Sequence, residues 1–190
     1  MLNIVIFGAP GSGKGTQSEN LIKKYNLAHI STGDVLRAEM KNGTELGKLA
    51  EGYISKGQLV PDDVVIGMLA NVLDTKKDAA GVIFDGYPRT VAQSDALDKM
   101  LEERGQEVSI VVSLDVEEPE LIERLIKRGQ QSGRSDDNLE TIKSRLDVYK
   151  NQTSPLKEHY ENTGKLVNIK GIGTVDEIFE KIAEAVDKIK

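Results

Sequence analysis

The residues whose types and spacing suggest chemistry begin with a glycine-rich stretch that follows a mainly apolar run over residues 3–7. The stretch, Gly8 to Thr16, has the sequence GAPGSGKGT. Its glycines allow the backbone to curl so that successive amide groups point inward at phosphate oxygens, and a following helix adds the partial positive charge of its N-terminus. Lys14 supplies a mobile positive charge. An ordinary strand-to-helix turn is the alternative, but it does not need this lysine, so the pattern predicts a phosphate-binding loop.

A carboxylate and two arginines could complete such a site. Asp85 follows the apolar run 82–84, and at the carboxyl end of a strand it could organise magnesium-bound water beside phosphates. Arg124 and Arg128 lie four residues apart on one edge of a predicted helix, so both can reach one ligand. For Arg128 the alternative is a favourable contact with the C-terminal end of that helix ahead of Gly129.

The elements that must position these groups alternate along the chain. Apolar runs predict strands at 3–7, 82–84, 109–114 and 166–169. Helical periodicity predicts helices at 13–25, 62–73, 90–104, 118–128, 138–149 and 175–189. This alternation favours an α/β fold, with a parallel sheet and helices on both of its faces. Segments 31–60 and 127–137 are polar and glycine-dotted, and we interpret them as insertions over the sheet.

Composition excludes several classes of protein. The chain has 190 residues, enough for one domain over 1–190, and it contains no cysteine, which excludes disulfides, thiolate catalysis and cysteine-ligated zinc. Its two histidines, His29 and His159, show no metal-binding spacing, and we expect them to serve packing or to lie at the surface. A net charge of −6 argues against nucleic-acid binding. The chain shows no membrane-spanning run and no leader-like start, so we expect a cytoplasmic protein.

The phosphate-binding loop departs from the general motif in one position. Gly15 stands between Lys14 and Thr16, whereas the general motif has Ser or Thr directly after the lysine. This GKGT form resembles the nucleoside monophosphate kinases, and adenylate kinases above all, and the resemblance continues over nearly the whole chain. It implies a P-loop NTPase-type fold, the substrates ATP, AMP and ADP, Mg²⁺ bound with ATP, and a monomer. The short lid lacks the cysteine-bearing insertion of some relatives, which implies no structural zinc.

The resemblance also implies an AMP site. The expected contacts are Thr32, Arg37, Gln58, Leu59, Val60, Gly86, Tyr87, Pro88, Arg89, Gln93, Arg134 and Arg145. Relatives more often carry Phe at the position of Tyr87. Local sequence leaves two alternatives open, because Thr32 could be a helix N-cap and the pair Thr90 and Gln93 could form a capping box. Pro61, next to this set, is in addition a good first helical residue.

On the ATP side, the resemblance assigns the phosphate-binding loop, an arginine and a glycine. The expected ATP contacts are Gly11, Ser12, Gly13, Lys14, Gly15, Thr16, Arg128 and Gly173, and the expected magnesium residue is Asp85, acting through water. The expected catalytic residues are Lys14, Arg89, Arg124, Arg128, Arg134 and Arg145. Asp137 lies in the same segment as Arg134, and its local sequence allows a role as the N-cap of the following helix and nothing more. Of the seven arginines only Arg104 falls outside the motifs, which suits the bidentate recognition of phosphate by arginine.

These assignments predict that ATP and AMP meet in one cleft, over which the AMP-binding insertion 31–60 and the short lid 127–137 close to exclude water. A UMP/CMP or guanylate kinase on the same scaffold is the nearest alternative, but Thr32 and Thr90 favour AMP by resemblance. The alternative from another class is a P-loop ATPase or GTPase module. Against it, Gly86 rather than an acidic residue follows Asp85, and the chain has no Asn-Lys-x-Asp guanine motif.

Overall fold

A five-stranded parallel sheet forms the centre of the structure, a computed structural model that describes all 190 residues. Its strands are β1 (Leu2–Gly8), β2 (Ala28–Ser31), β3 (Gly81–Asp85), β4 (Ile110–Asp115) and β5 (Leu166–Lys170). They lie in the order β2-β3-β1-β4-β5, and every pair is parallel. The α/β prediction is thereby confirmed.

Nine α-helices surround the sheet. They are α1 (Lys14–Tyr25), α2 (Thr32–Asn42), α3 (Glu45–Ile54), α4 (Asp62–Asp74), α5 (Val91–Glu102), α6 (Glu118–Ser132), α7 (Leu139–Val148), α8 (Leu156–Asn162) and α9 (Val175–Asp187). A π-helical turn, Tyr149–Thr153, continues α7. None of these helices is long and apolar enough to cross a membrane.

Alternate side chains of the strands supply two separate cores, one on each face of the sheet. Val5 and Phe84 belong to the larger core, which also holds apolar side chains of α2, α3, α4, α5 and α8. Ile4 and Ile83 belong to the second core, which α1 and α9 cover. Because strand side chains alternate between faces, a run that is apolar at nearly every position is what a sheet covered on both faces requires.

The sequence does not predict strand β2. It has only four residues at the edge of the sheet, and Ile30 alone among them is buried. A short edge strand has neither the length nor the unbroken apolar run on which strand prediction depends. Its residues pair with β3, so that Ser31 lies opposite Asp85.

The segment 31–60, which we expected to be an insertion, contains α2, α3 and an irregular stretch. Ser31, not Thr32, caps α2, because the Ser31 side chain accepts a hydrogen bond from the Asp34 amide. The alternative that Thr32 is a helix N-cap is therefore wrong. Pro61 stands at the N-cap position of α4, one residue before the helix begins.

Helix α6 continues past its predicted end at residue 128 and stops at Gly133, whose positive φ of 65° provides the left-handed end of the helix. The segment 127–137 thus contains the last turn of α6. Side chains of α6 and α7 form a third, smaller core with Ala9 of the phosphate-binding loop. This core packs the loop against the two helices that flank Arg134 in the chain.

Candidate active site

The glycine-rich loop joins the central strand β1 to α1 in the way the sequence predicts. Gly13 occupies the N-cap position of α1 with a positive φ of 97°, and no side chain caps this helix. The backbone amides of residues 13–16 donate to no other backbone group. Unpaired amides at the N-terminus of a helix form an anion-binding site. The loop can therefore bind phosphate oxygens with its main chain.

Gly11 holds the loop against α6. Its φ is +84°, and a Cβ atom there would lie 2.9 Å from Cγ of Leu125 and 3.0 Å from the carbonyl oxygen of Leu121. A side chain at this position would push the loop away from α6. Within the loop, the Ser12 hydroxyl is buried and has no protein partner. A buried hydroxyl without a partner is costly, which is consistent with a polar ligand in the loop.

Lys14 extends back across the loop that precedes it. Its Nζ donates to the carbonyl oxygens of Gly8 at 2.8 Å and Ala9 at 3.0 Å. Burial lowers the pKa of Lys14 from 10.5 to about 7; Asp85 opposes this shift, and the positive charges of Arg89 and Arg145 add to it. An anion bound beside the amine would restore its charge.

Asp85 is the last residue of β3, and its neighbour in the sheet is Ile6 of β1. Burial alone would raise its pKa, but His29, Lys14 and Arg89 outweigh that effect and keep the pKa of the carboxyl below its ordinary value. The Nε2 atom of His29 lies 3.5 Å from Oδ2 of Asp85, and this contact raises the pKa of the histidine. His29 is thus the partner of Asp85, a role that its sequence context did not indicate.

The turn after Asp85 brings three predicted AMP contacts together. The carbonyl oxygen of Gly86 accepts hydrogen bonds from Oγ1 of Thr32 at 2.9 Å and from Nε of Arg89 at 2.8 Å. Gly86 has a φ of +75°, and a Cβ there would lie 3.0 Å from an Nη atom of Arg89. Burial, followed by the charge of Arg145, lowers the pKa of Arg89 to about 10. The guanidinium of Arg89 thus lies in surroundings that favour an anionic partner.

Gln93 lies at the beginning of α5 and is only 2% exposed. Its Oε1 accepts from the Arg89 amide at 2.8 Å, and its Nε2 donates to Oδ1 of Asp62 at 2.9 Å. The hydroxyl of Thr90 accepts from the Gln93 amide, but the Gln93 side chain does not return the bond to Thr90. Only half of the possible capping box forms, and the side chain of Gln93 has other partners.

One cleft collects most of the predicted AMP contacts. It encloses about 1050 Å³, including solvent at its open side. The predicted residues in its wall are Lys14, Thr32, Arg37, Gln58, Leu59, Val60, Gly86, Pro88, Arg89, Gln93, Arg134 and Arg145. Tyr87 is not among them: it is 1% exposed, and its hydroxyl donates to the carbonyl oxygen of Gln93 at 2.9 Å. Tyr87 therefore supports the cleft from behind.

Three arginines meet at an acidic pair between α6 and α7. Arg128 binds the carboxylate of Asp137 through two bonds of 2.6 and 2.7 Å, and Arg145 donates to the same carboxylate at 2.8 Å. Arg134 binds Asp136 at 3.2 Å. Burial raises the pKa of Asp136, but Arg145 and Arg134 outweigh it and lower the pKa overall.

This arrangement decides two alternatives that the sequence left open. Asn138, not Asp137, caps α7, because its side chain accepts from the Thr141 amide at 3.0 Å. Arg128 lies more than a turn before the end of α6, since the helix continues to Ser132. Neither Asp137 nor Arg128 is therefore explained by a helix end alone.

The remaining predicted residues lie outside the cleft wall. Arg124 bonds to Glu120 at 2.8 Å and to the carbonyl oxygen of Gly171 at 2.9 Å, which connects α6 to the loop after β5. Gly173, in the same loop, is exposed and has a φ of +121°. The other predicted ATP contacts, Gly11, Ser12, Gly13, Gly15, Thr16 and Arg128, also lie outside this wall. Their assignment to ATP stays a prediction.

Asp62 and the partner role of Asp136 are evident only from the structure. Asp62 accepts hydrogen bonds from Thr90 and Gln93, which lie about thirty residues away in the chain. No local pattern signals such a contact. Asp136 and Asp137 could have been suspected, because two adjacent acids stand between arginines at 134 and 145.

Comparisons with known proteins agree on one family. A family model described as adenylate kinase matches residues 6–165. The chain is 68% identical over 190 residues to an adenylate kinase of Parabacteroides distasonis, and 66% identical over 189 residues to one of Bacteroides thetaiotaomicron, with full coverage of both chains in each case. An adenylate kinase of Porphyromonas gingivalis is 54% identical over 190 residues, covering 98% of that protein.

Proposed function

The chain belongs to the adenylate kinase family, and on that premise we propose that its cleft transfers the terminal phosphoryl group of ATP to AMP, forming two ADP in a reversible reaction. The enzyme is a phosphotransferase. The observation that carries the proposal at the level of residues is the cleft itself. In a chain of net charge −6, its wall combines Lys14 of the phosphate-binding loop with four arginines, Arg37, Arg89, Arg134 and Arg145, and holds one acidic residue, Asp136. This excess of positive charge suits two nucleotides placed with their phosphates facing each other.

Phosphoryl transfer asks for alignment and charge stabilisation more than for covalent chemistry by the protein. In the proposed mechanism the amides of residues 13–16 and Lys14 hold the phosphates of ATP. Arg89, Arg128, Arg134 and Arg145 balance the charge that spreads over the oxygens of the moving group, and Arg124 holds the neighbouring loop. No general base is required.

The AMP side of the cleft is proposed to lie between the insertion and the turn after β3. Arg37 and Arg89 bind the phosphate of AMP, with Thr32, Gln58, Leu59, Val60 and Pro88 around the nucleoside. Gln93 faces the base. Support comes from the bonds that Thr32 and Arg89 both make to the carbonyl oxygen of Gly86, because they fix the two side chains relative to each other.

The residues around Asp85 fit Mg²⁺. No group of three or more metal-ligating side chains exists in the structure, but Mg²⁺ usually retains several waters and takes few protein ligands besides substrate phosphates. Asp85 stays ionised and lies close enough to Lys14 to shift its pKa, so its carboxylate can hold water of the ion beside the phosphate-binding loop. When bound, Mg²⁺ would supply positive charge that neutralises the phosphates.

The insertion 31–60 and the lid 127–137 are proposed to close over the substrates. Water in an open site could accept the phosphoryl group, so closure protects the transfer. Support comes from the positions of Arg37 in the insertion and Arg134 in the lid, since both reach the cleft wall from segments outside the sheet. We further propose a monomeric, cytoplasmic enzyme without a nucleic-acid or membrane partner and without structural zinc.

A direct test offers ATP with AMP, CMP, UMP or GMP in separate reactions and measures ADP formation. We expect rapid turnover with AMP and little with the others. Turnover on CMP or UMP alone would favour a pyrimidine nucleotide kinase. Hydrolysis of ATP without any acceptor would instead indicate an ATPase.

A further inference from the structure

The side-chain amide of Gln93 is held at both of its ends. The Arg89 amide, which can only donate, contacts Oε1 at 2.8 Å. The Asp62 carboxylate, which when ionised can only accept, contacts Nε2 at 2.9 Å. Oxygen and nitrogen of an amide are assigned from such networks, and here both partners require the same assignment.

A rotation of this amide by 180° is therefore opposed twice. It would place the Gln93 NH₂ group against the Arg89 N–H, and Oε1 against the Asp62 carboxylate. Both contacts would be repulsive, and Gln93 is too buried for water to compensate. The amide thus has one orientation, although free glutamine has two of equal energy.

Asp62 is itself fixed by a third partner. Its Oδ1 also accepts from Oγ1 of Thr90 at 2.9 Å. The same Thr90 hydroxyl accepts from the Gln93 backbone amide at 3.2 Å, so its proton is directed at Asp62. Asp62 is the first residue of α4 and connects this helix to the N-terminus of α5. The aspartate lies behind Gln93 and is not in the cleft wall.

The fixed amide leaves one N–H of Nε2 and one lone pair of Oε1 for a ligand. Adenine offers a matching pair, a donor at its 6-amino group and an acceptor at an adjacent ring nitrogen. A 6-oxopurine offers an acceptor at position 6 and a proton on N1. A glutamine free to rotate could serve either base, whereas one held in a single orientation favours adenine.

We propose that Asp62 is a positioning residue that fixes the Gln93 amide and thereby selects a 6-aminopurine monophosphate over a 6-oxopurine monophosphate. This inference rests on the proposed function, because it assumes that Gln93 faces the acceptor base. Asp62 touches neither substrate nor reacting atoms. It sets which hydrogen-bonding pattern Gln93 presents.

The test compares AMP with inosine monophosphate, which has an oxo group at position 6 and no further substituent. The KM for AMP and the competitive inhibition constant of inosine monophosphate are measured for wild type, Asp62→Ala, Asp62→Asn and Asp63→Ala. Inhibition needs no turnover of the inosine nucleotide. Asp63 is the matched control, because it shares the acidic first turn of α4 but is exposed and makes no bond to Gln93.

For Asp62→Ala we expect the KM for AMP to rise by about tenfold or more, as for the loss of a hydrogen bond to a charged group. Binding of inosine monophosphate should stay constant or improve, so the preference for AMP narrows. Asp62→Asn should keep most of the preference, since an Asn oxygen still accepts from Nε2. Asp63→Ala should match wild type, and the KM for ATP should stay constant in every variant.

Equal weakening of AMP and inosine monophosphate in Asp62→Ala would overturn the proposal, and so would an unchanged preference. If Asp62→Ala does not fold, Asp62→Ser takes its place: its hydroxyl can donate as well as accept, so a narrowed preference is again required. A wild-type protein that transfers no phosphoryl group to AMP would instead refute the proposed function, whatever the variants show.

Discussion

At the scale of single residues, the carboxyl end of β3 concentrates the groups on which transfer is proposed to depend. Asp85 ends the strand, Gly86 turns the chain, and Arg89 is fixed to the turn by a 2.8 Å bond to the Gly86 carbonyl oxygen. A guanidinium held in this way is oriented before any substrate arrives. Preorganised charge of this kind is the usual source of large electrostatic effects on rate.

Arg89→Ala should lower the rate of transfer from ATP to AMP by on the order of 10²- to 10³-fold, because one oriented donor to the moving group is lost. ATP affinity should change little, since the loop of residues 8–16 is intact. Steady-state kinetics and calorimetric titration with ATP measure the two effects. Arg104→Ala is the matched control: Arg104 bonds to Asp74 outside the cleft. Equal loss of transfer and ATP binding would contradict the role given to Arg89.

Lys14 should give the folding stability a distinctive pH dependence. Burial lowers its pKa from 10.5 to about 7 in the folded chain, so between these values the unfolded chain binds more protons. The contribution of Lys14 to the free energy of unfolding should therefore rise with pH across this window. Denaturant titrations of wild type and Lys14→Met at several pH values between 6.5 and 9.5 should show a difference in free energy that grows in favour of wild type.

Lys41→Met is the matched control for that experiment, because it removes an exposed lysine from α2. The difference in free energy of unfolding between Lys41→Met and wild type should depend less on pH than the difference between Lys14→Met and wild type. If the two lysine variants gave the same slope, the buried surroundings of Lys14 would not be the cause.

Individual residues were predictable where a local motif defined them and not where a distant partner did. The phosphate-binding loop was recognisable because Lys14 lies at a fixed distance from its glycines in the sequence. The partners of Gln93 and Asp85 were not, since Asp62 and His29 reach them only after the sheet and helices have formed. Tyr87 was expected to contact AMP, but it lies behind the cleft wall because its ring packs in the larger core.

At the scale of elements, the insertion 31–60 is attached to α7 through residues 55–57, which follow α3. The Ser144 hydroxyl donates to the carbonyl oxygen of Lys56 at 2.8 Å, and the Thr141 hydroxyl contacts that of Ser55 at 3.4 Å. Gly57 permits this approach: its φ is +71°, and a Cβ would lie 2.9 Å from the Thr141 carbonyl oxygen. Residues 55–57 therefore set the distance between the insertion and α7.

Gly57→Ala should push the insertion away from α7 and raise the KM for AMP several-fold, while the KM for ATP changes less. The matched control is Gly43→Ala, whose φ of +65° carries a similar backbone penalty but whose Cβ would meet nothing within 4 Å. In both variants, left-handed backbone strain should lower the free energy of unfolding by about 1 kcal/mol. In Gly57→Ala the free energy of unfolding should fall further, because the new Cβ also meets α7. Thermal unfolding and steady-state kinetics measure both effects, and identical behaviour of the two variants would show that the contact with α7 is unimportant.

Strands were predictable where apolar residues stand next to each other in the sequence. The four strands with adjacent apolar residues follow from the sequence, including β5, of whose five residues only one is buried. Strand β2 does not, because its sequence AHIS contains no two adjacent apolar residues. Helix α9 was predicted because its apolar stripe is regular and Thr174 forms a capping box with Glu177. The sequence predicts the end of α6 at residue 128, which is too early. Gly129 resembles a helix stop, but it lies inside the helix, where the absence of a side chain lets Asp137 pack against it.

At the scale of the whole molecule, the absence of cysteine makes the proposed closure measurable. Cysteines introduced at Lys41 on α2 and Gln131 on α6 would be the only labelling sites for a pair of fluorophores. Both positions are exposed. A bisubstrate analogue of two adenosines joined by phosphates should shorten the distance between the labels, because it engages the insertion and the lid together.

A second labelled pair, at Lys99 on α5 and Glu180 on α9, spans the sheet and serves as the control. Its distance should not change, since both helices pack on the sheet. No change in either pair on binding the analogue would contradict closure of the insertion and lid. Failure of the analogue to bind would contradict the proposed function itself.

The α/β architecture could be predicted because alternating strands and helices admit few arrangements. The strand order and the placement of the insertion against α7 could not, because they depend on contacts between residues distant in the chain. The same limit applies to the cleft. Its residues were proposed from local motifs, but which of them share one wall is a property of the packed molecule.

The adjacency of β1 and β3 also bears on how the molecule responds to heat. Ile6 lies opposite Asp85, so the segment proposed to bind ATP and the segment proposed to bind AMP leave the sheet side by side. Because the two strands are hydrogen-bonded neighbours, bending or twisting of the sheet should displace both segments in the same direction. On warming, the two segments should therefore keep their relative positions until the sheet unfolds cooperatively. The contacts of the insertion 31–60 and the lid 127–137 with the cleft should be lost first.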